Sequence, residues 1–414
     1  MSDDILVMIL SLLPLKGAMA TSILSRRWRF VWCNLTKLNF DGGETLNKYH
    51  SKYINHVNSV IQSHSHPTVQ DFRIRFCLTK RHKGVIDKWL QFAINKKVEF
   101  LELNLMNEPP KVYELYGNSD YPLRLFDTKL SRCPSLNATV VEILSLKKLV
   151  LKKVKVTETI LQEFLTNCPH LETLFIHYSS RMKIIRVYGH ALKLKHFTIV
   201  SEWRVDSIYL SDFDLVSFTC KGPVADLRLS HLPKLKEVDI DIKRIREMLG
   251  TNVFDQISSC ALTLQVLSIN IDVPKKSEVL DSIPVLPSVK KLRLKIGGGT
   301  YNLLVYLASI LNACPNLVTL TIQQLWTSPI INMRRAKDVT NPHEHLKIVE
   351  IEEYSGLICD VKLVKYIIHT AVALKKIVID PCRDRANARN LGNNEAARCQ
   401  LASVLPQGVD LCIL

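Results

Sequence analysis

A short motif recurs along most of this chain, and it restricts the fold more than any other feature of the sequence. Each copy begins with Cys or Leu, continues with Pro, and leads into a stretch in which every second residue is apolar. The clearest copies cover residues 168–176, 232–240, 286–294 and 314–322. Self-similarity of this kind is typical of a solenoid, in which each unit buries its apolar face against the next.

The spacing of the repeats agrees with this interpretation. Leu149, Leu174 and Phe197 follow one another at 25 and 23 residues, and Leu292 and Leu320 are 28 residues apart. These intervals lie in or near the 20 to 29 residue period of leucine-rich repeats. The copies are irregular, and they extend from about Phe72 onward.

Each unit is predicted to be a strand followed by a helix or turn. The Pro ends the preceding element, and the alternation buries every second side chain of the strand. Residues 157–166 and 301–311 are predicted to be amphipathic helices on the outer side. The cysteines of the Cys-Pro pairs, Cys133, Cys168 and Cys314, are interpreted as buried repeat positions rather than metal ligands or nucleophiles, because free Cys is among the most buried residue types.

The first forty or so residues are predicted to form three short helices. Asp3 is placed to cap the first, which ends at about Leu13 before Pro14. The second covers about 18–24, and Ser25 is placed to cap the third. The first helix carries two apolar stripes, which are Ile5, Ile9 and Leu12, and Leu6, Leu10 and Leu13. Helices this short and apolar cannot bury themselves, so they either cap the following domain or dock a partner protein.

This segment resembles the plant F-box motif over residues 3–6, 9–14 and 21–29 and at Trp32. In that family the motif binds the Skp adaptor of a Skp-cullin-F-box ubiquitin ligase. The resemblance implies an apolar adaptor-docking surface that consists of Ile5, Leu6, Ile9, Leu12, Leu13, Leu15, Leu24 and Trp28. Family members carry further residues before the helix, including Leu-Pro, so the shorter start indicates either weaker docking or a truncated sequence.

The C-terminal part resembles the FBD domain that follows the repeats in many plant F-box proteins. The matching segments are 345–351, 361–370, 373–380 and 405–411. They imply one more helix and strand unit with a terminal cap. The predicted fold is therefore α/β, with a short three-helix F-box at 1–41, an irregular leucine-rich-repeat solenoid (horseshoe) at 42–335 and an FBD-type C-terminal cap at 336–414.

A net charge of +16 raises the question whether nucleic acid or an anionic membrane is a partner. In a solenoid, the residues that flank the buried Leu of each strand form the concave surface. That surface is predicted to be basic at some strands and acidic at others, such as Glu237 and Asp239, which disfavours a phosphate backbone. The two basic strands supply the candidate substrate-binding residues Lys148, Lys152, Lys291, Arg293 and Lys295.

The second of these strands, together with Lys275 and Lys276, is predicted to form a pocket for an acidic segment or a small anion. No sequence motif for catalysis, metal or cofactor binding accompanies it. The histidine pairs His64/His66 and His343/His345 lack further ligands at zinc spacing and are interpreted as surface residues.

The 11 cysteines contain no Cys-x-x-Cys pair, which disfavours a disulfide framework or a structural zinc and favours a reducing compartment, the cytoplasm or the nucleus. No apolar run is long enough to span a membrane. The acidic start lacks the basic region of a signal peptide.

The resemblance to plant F-box proteins implies a non-enzymatic, substrate-recruiting subunit of a ubiquitin ligase. Its F-box would dock a Skp-family adaptor and through it a cullin, and its repeats would bind a target protein of unknown identity. Two alternatives remain open. One is a repeat scaffold that binds partners without any ligase, and the other is a ligand-sensing F-box receptor in which a small molecule completes the substrate surface.

Overall fold

Parallel strands, one from each repeat, form the framework of the protein. The structure, a computed structural model, describes residues 2–42, 49–106, 121–122, 143–177, 182–241, 253–273, 283–298, 303–325, 342–381 and 394–414. The chain divides into two units, Met1–Val205 and Asp206–Leu414. Both units combine helices with mostly parallel strands, so the predicted α/β fold class is confirmed.

The N-terminal unit begins with four short helical segments. They are the α-helices Asp3–Leu10 and Leu15–Ala20 and the 3₁₀ helices Thr21–Ile23 and Trp28–Asn34. Ser2, and not Asp3 as predicted, is the N-cap of the first helix. Arg27, and not Ser25 as predicted, is the N-cap of the last segment, although Ser25 Oγ accepts a hydrogen bond of 3.4 Å from the Trp28 backbone N–H.

Six parallel strands follow in this unit, in the same order in the sheet as in the sequence. They are β1 (Lys37–Asp41), β2 (Asp71–Arg75), β3 (Phe100–Asn104), β5 (Lys148–Lys152), β7 (Thr173–His177) and β9 (His196–Val200). The short strands β4 (Tyr121–Pro122) and β6 (Val154–Lys155) pair with each other, and β8 is Ile184–Tyr188. The helices between strands are His50–Ser63, Lys83–Asn95 and Glu158–Asn167, with a 3₁₀ turn at Lys80–His82.

The C-terminal unit contains eight further strands of the same kind. They are β11 (Ser217–Lys221), β13 (Glu237–Asp241), β14 (Val266–Val273), β15 (Lys291–Gly298), β16 (Thr319–Leu325), β17 (Ile348–Tyr354), β18 (Lys376–Pro381) and β19 (Asp410–Ile413). β10 (Val205–Ser211) and β12 (Val224–Ser230) are neighbours in a smaller sheet. The helices are Val253–Ile257, Leu303–Ala313, Ile358–Thr370 and Asn394–Ala402, with a 3₁₀ turn at Ser258–Cys260.

The buried leucines of successive repeats stack in register, as their spacing predicts. Leu101, Leu149, Leu174 and Phe197 are consecutive partners across the N-terminal sheet, and none is more than 2% exposed. Burying such a side chain stabilises the fold by about 1.5 to 3 kcal/mol. Because every repeat supplies one residue to the ladder, neighbouring repeats hold each other in place.

The predicted outer helices are confirmed. The first covers Glu158–Asn167 and is capped by Thr157, whose Oγ1 accepts a hydrogen bond of 3.3 Å from the Ile160 N–H. The sheet, however, begins at β1 and not near Phe72. The alternation of buried Leu38 and Phe40 marks this strand, which directly follows the helical segment.

The interpretation of the histidine pairs as surface residues was wrong for two of the four. His64 and His343 are 8% and 4% exposed. His64 Nε2 lies 2.9 Å from the Leu35 carbonyl oxygen, and the His343 backbone N–H donates to Thr370. Their local sequence is polar, so only the fold shows that each is buried.

We expect this burial to make the protein less stable in acid. Burial lowers the pKa of His64 and of His343 below the ordinary value of 6.5, because desolvation disfavours the charged imidazole. The unfolded chain therefore binds more protons, and the free energy of unfolding decreases as the pH falls below about 6.5. Urea unfolding at a series of pH values measures this slope. His64→Gln should flatten it, and replacement of the exposed His190 should not.

Candidate functional site

The helical N-terminal segment has an inner and an outer apolar face. Leu6, Leu10 and Leu15 are at most 6% exposed and pack inward together with Ala18 and Val31. These buried side chains form the core of the segment. Two residues of the predicted docking surface, Leu6 and Leu15, therefore lie inside the chain.

The outer face leaves an unusual amount of apolar surface in water. Its members are large side chains that are each at least 38% exposed, and they are Ile5, Met8, Ile9, Leu12, Leu13, Ile23, Leu24 and Phe30. We call this set the apolar docking face. Leu12 and Ile23 are 83% and 88% exposed, and Trp28 is half-buried. Large exposed apolar side chains in this number are typical of interaction surfaces.

The two predicted stripes of the first helix are thus largely separated by the fold. Ile5, Ile9 and Leu12 face outward, whereas Leu6 and Leu10 face inward. Sequence reasoning missed Met8, Ile23 and Phe30. Met8 lies one turn from Ile5 and Leu12, so helical periodicity alone could have included it.

An ion pair links two distant positions of the helical segment. The Arg27 guanidinium donates two hydrogen bonds to Asp3 Oδ1, at 3.0 Å from Nε and 2.9 Å from Nη2. Both side chains are more than half exposed, so the pair stabilises the fold by no more than about 1 kcal/mol. It joins the start of the first helix to the segment before Trp28.

The outward face of the N-terminal sheet combines aromatic rings with cations. Arg73 Cζ and Lys148 Nζ lie 4.2 Å and 4.5 Å from the centre of the Phe100 ring, one strand away on either side. Lys152 Nζ lies 5.7 Å from the centre of the Phe175 ring. Cation–π contacts at such distances each stabilise by about 0.5 to 1 kcal/mol at exposed sites. Lys148 and Lys152 are therefore held over apolar surface with their charge still available to a partner.

The outward face of the C-terminal sheet is mixed in sign, as predicted. Arg293 Nη2 donates to both carboxylate oxygens of Glu352, at 2.8 Å and 2.7 Å, and Lys221 Nζ lies 3.1 Å from Asp239. Arg293 is therefore neutralised within the chain. Lys291 and Lys295, in contrast, form no ion pair with any other described residue. Lys275 and Lys276, predicted to complete a pocket here, lie outside the described residues.

The Cys-Pro cysteines are buried, as predicted for Cys168 and Cys314, and Cys133 lies outside the described residues. Burial raises the pKa of both thiols to about 12, which leaves them protonated and unreactive at neutral pH. Among the residues that the structure describes, no group of His, Cys, Asp and Glu side chains is arranged to hold a metal ion. No helix in the described part of the chain has the length and hydropathy needed to cross a bilayer.

Comparison with known proteins gives matches over nearly the whole chain. Residues 1–40 match the F-box domain, and residues 60–404 match the family model described as At1g61320/AtMIF1, LRR domain. The FBD-associated F-box protein At1g61330 of Arabidopsis thaliana is 23% identical over 99% of this chain and 96% of its own length.

Two further relatives from Arabidopsis thaliana match part of the chain. The F-box/LRR-repeat protein At3g03360 is 31% identical over 44% of this chain and 38% of its own length. The FBD-associated F-box protein At5g38590 is 28% identical over 58% of this chain and 60% of its own length.

Proposed function

This chain belongs to the family of F-box proteins with leucine-rich repeats, and from this premise we propose that it recruits substrates to a Skp-cullin-F-box ubiquitin ligase. Proteins with these two domains act as adaptors or in protein–protein interaction, and typically not as enzymes. In our proposal, residues 1–41 dock the Skp-type adaptor, residues 42–335 bind the target protein, and residues 336–414 form the FBD-like end of the repeats.

The apolar docking face carries this proposal. Eight large apolar side chains within the first thirty residues remain exposed although the segment has its own buried core. A helical cap that served only the following repeats would need the inner face alone. Because an exposed Leu gains about 2 kcal/mol when a partner covers it, an outer face of this composition is best explained by a protein that binds there.

For the target protein, we propose the outward sheet faces that carry Lys148 and Lys152 and, in the C-terminal unit, Lys291 and Lys295. The face with Phe100 and Phe175 also offers aromatic surface between the cations, and aromatic side chains are enriched in protein interfaces. Arg293 contributes less than its sequence position indicated, because Glu352 already pairs with it.

Replacement of Leu12 or Leu24 by Asp tests adaptor docking. Each side chain is more than 60% exposed, so the substitution leaves the fold intact, but it places a carboxylate in the interface. We expect each variant to bind the Skp-type adaptor about thirtyfold more weakly, from the loss of about 2 kcal/mol. Co-expression, co-purification and calorimetric titration with a Skp-type adaptor measure this. Trp28 is less suitable, because it is half-buried.

Leu262→Asp is the matched control, since Leu262 is 82% exposed but lies in the C-terminal unit. It should bind the adaptor as the wild type does. If the wild-type chain forms no complex with the adaptor, the proposal is contradicted, and the repeat scaffold without a ligase is favoured. If the chain binds the adaptor normally but binds its target only when a small molecule is present, the ligand-sensing receptor is favoured. On this proposal the protein works in the cytoplasm or the nucleus.

A further inference from the structure

In successive repeats, one residue lies directly before the strand. These residues form a row across the sheet at the N-terminal ends of its strands. Backbone hydrogen bonds fix the row in the C-terminal unit. The N–H of Gln265 donates to the Lys236 carbonyl at 2.8 Å, Lys290 to Gln265 at 2.9 Å, and Val318 to Lys290 at 2.9 Å. The N–H groups of Lys347 and Lys375 continue the same pattern at 2.9 Å each. Side chains from distant parts of the sequence therefore lie at one strand spacing, about 4.8 Å apart.

In the N-terminal unit the same row alternates in charge. Glu99, Lys147, Glu172 and Lys195 are consecutive members, joined by the same kind of backbone hydrogen bond. Lys147 Nζ lies 2.9 Å from Glu99, and Lys195 Nζ lies 3.0 Å from Glu172. Each cation of this row is therefore neutralised by the repeat beside it.

In the C-terminal unit the acidic members are missing. The row carries four exposed lysines, Lys236, Lys290, Lys347 and Lys375, separated only by Gln265 and Val318. We call these four residues the lysine row. Within the described residues none of them forms an ion pair. Lys347 and Lys375 are direct neighbours, and like charges on adjacent strands are destabilising unless an anion lies between or above them.

A cavity of about 490 Å³ lies in the lysine row, between Lys236 and Lys290. Its lining includes Gln265 and the exposed Leu262, together with two prolines of the repeat motifs, Pro233 and Pro287. The volume is in the range of ordinary ligand sites. Its lining combines three lysines, Lys234, Lys236 and Lys290, with apolar surface, and Asp214 pairs with the first of them. This combination suits a peptide that carries both acidic and aliphatic side chains.

The neighbouring residues favour a peptide over a nucleic acid. No aromatic side chain lines this cavity, so bases have nothing to stack on. Two carboxylates, Glu237 and Asp410, begin strands directly beside the row and would repel a continuous phosphate backbone. A peptide can place neutral residues at those points.

We propose that the lysine row is a binding surface for an extended acidic peptide segment of a partner protein. The row spans five strand spacings, about 24 Å, which an extended segment of about seven residues covers. The segment places acidic side chains at the lysines and an aliphatic one in the cavity beside Leu262. This surface works independently of adaptor docking and lies at a different place from the outward sheet faces.

Fluorescence anisotropy with the full-length chain tests the proposal. The probe is a labelled peptide of about eight residues in which Glu and Ala alternate, and its neutral counterpart has Gln in place of Glu. We expect the Glu peptide to bind more tightly than the Gln peptide and more weakly as salt is added. The double variant Lys236→Glu, Lys290→Glu should weaken binding at least about tenfold, since two attractions become two repulsions.

Lys147→Glu with Lys195→Glu is the matched control. It changes the net charge equally, at the corresponding row positions of the N-terminal unit, and should leave peptide affinity within about twofold. Equal losses in both double variants would overturn the proposal, because net charge alone would then explain binding. Absence of Glu-peptide binding to the wild type would overturn it as well.

A labelled oligouridylate of similar length is the third probe. If it binds more tightly than the Glu peptide and depends on the same lysines, the ligand is a nucleic acid and the proposal is wrong. Lys236→Arg with Lys290→Arg should retain binding of the Glu peptide, which distinguishes loss of charge from misfolding. None of these measurements uses the Skp-type adaptor, so their outcome is separate from that of the docking test.

Discussion

Replacing Leu320 with alanine is expected to lower the free energy of unfolding of the C-terminal unit by about 3 kcal/mol, within the range of about 2 to 5 for such core truncations. Leu320 is fully buried, and its partners in the adjacent strands, Leu292 and Val349, are at most 1% exposed. Removal of the side chain leaves a cavity in the ladder that joins three repeats. Because repeats stabilise one another through their interfaces, both neighbours lose contact at once.

Urea unfolding followed by far-ultraviolet circular dichroism measures this loss. Thr319→Ala, one residue earlier and on the opposite face of the same strand, is the control, and its effect should stay below about 0.5 kcal/mol. A loss below about 1 kcal/mol for Leu320→Ala would show that the ladder collapses around the missing side chain, contrary to the close packing assumed here.

The second large effect is expected at Asp360. Its carboxylate is fully buried, and its Oδ2 accepts hydrogen bonds of 3.0 Å from the backbone N–H groups of Ser355 and Leu357. These bonds close the turn between β17 and the helix Ile358–Thr370, in which Gly356 has a positive φ angle of 71°. Asp360→Ala leaves two donors without an acceptor and should destabilise the unit by about 2 to 4 kcal/mol.

Asp360→Asn separates charge from geometry, because its amide oxygen can still accept hydrogen bonds from the turn. We expect a loss between that of the alanine variant and zero. Lys362→Ala, an exposed position on the same helix, serves as the control for helix propensity. Thermal unfolding of the three variants in parallel checks the order. An alanine variant as stable as the wild type would mean that water replaces the carboxylate in the turn.

The C-terminal helix depends on the same turn. The Tyr354 hydroxyl donates to Gln400 Oε1 at 2.9 Å, and Gln400 Nε2 donates to the Gly356 carbonyl at 3.0 Å. Gln400 belongs to the helix Asn394–Ala402. Residues that the sequence separates by more than forty positions thus form one hydrogen-bonded group, and no local pattern predicts it.

Of the residues predicted to dock the adaptor, the structure leaves most exposed and buries Leu6 and Leu15. Helical spacing identified two apolar stripes, but spacing does not say which stripe meets the core. The fold places Leu6 and Leu10 inside and leaves Ile5, Ile9 and Leu12 outside. Docking of the adaptor on this face stays a prediction until the Leu12 and Leu24 variants are measured.

The sequence by itself determined the repeat and its register. Leucines at intervals of 23 to 28 residues predicted the ladder, and Leu149, Leu174 and Phe197 are indeed consecutive partners. The physical reason is that a strand with alternating apolar residues has one face that it must bury, and a one-residue slip would expose it. Periodicity of this kind is a local property, so it can be read without coordinates.

Only the tertiary structure decided which charges and polar groups have partners. Arg293 forms an ion pair with Glu352, 59 residues away in the sequence, and His64 is buried beside the Leu35 carbonyl. In the N-terminal unit the row of lysines and glutamates neutralises itself, whereas the lysine row of the C-terminal unit does not. Such pairings depend on which repeats lie side by side, and electrostatic energy depends on distance in space rather than on position in the chain.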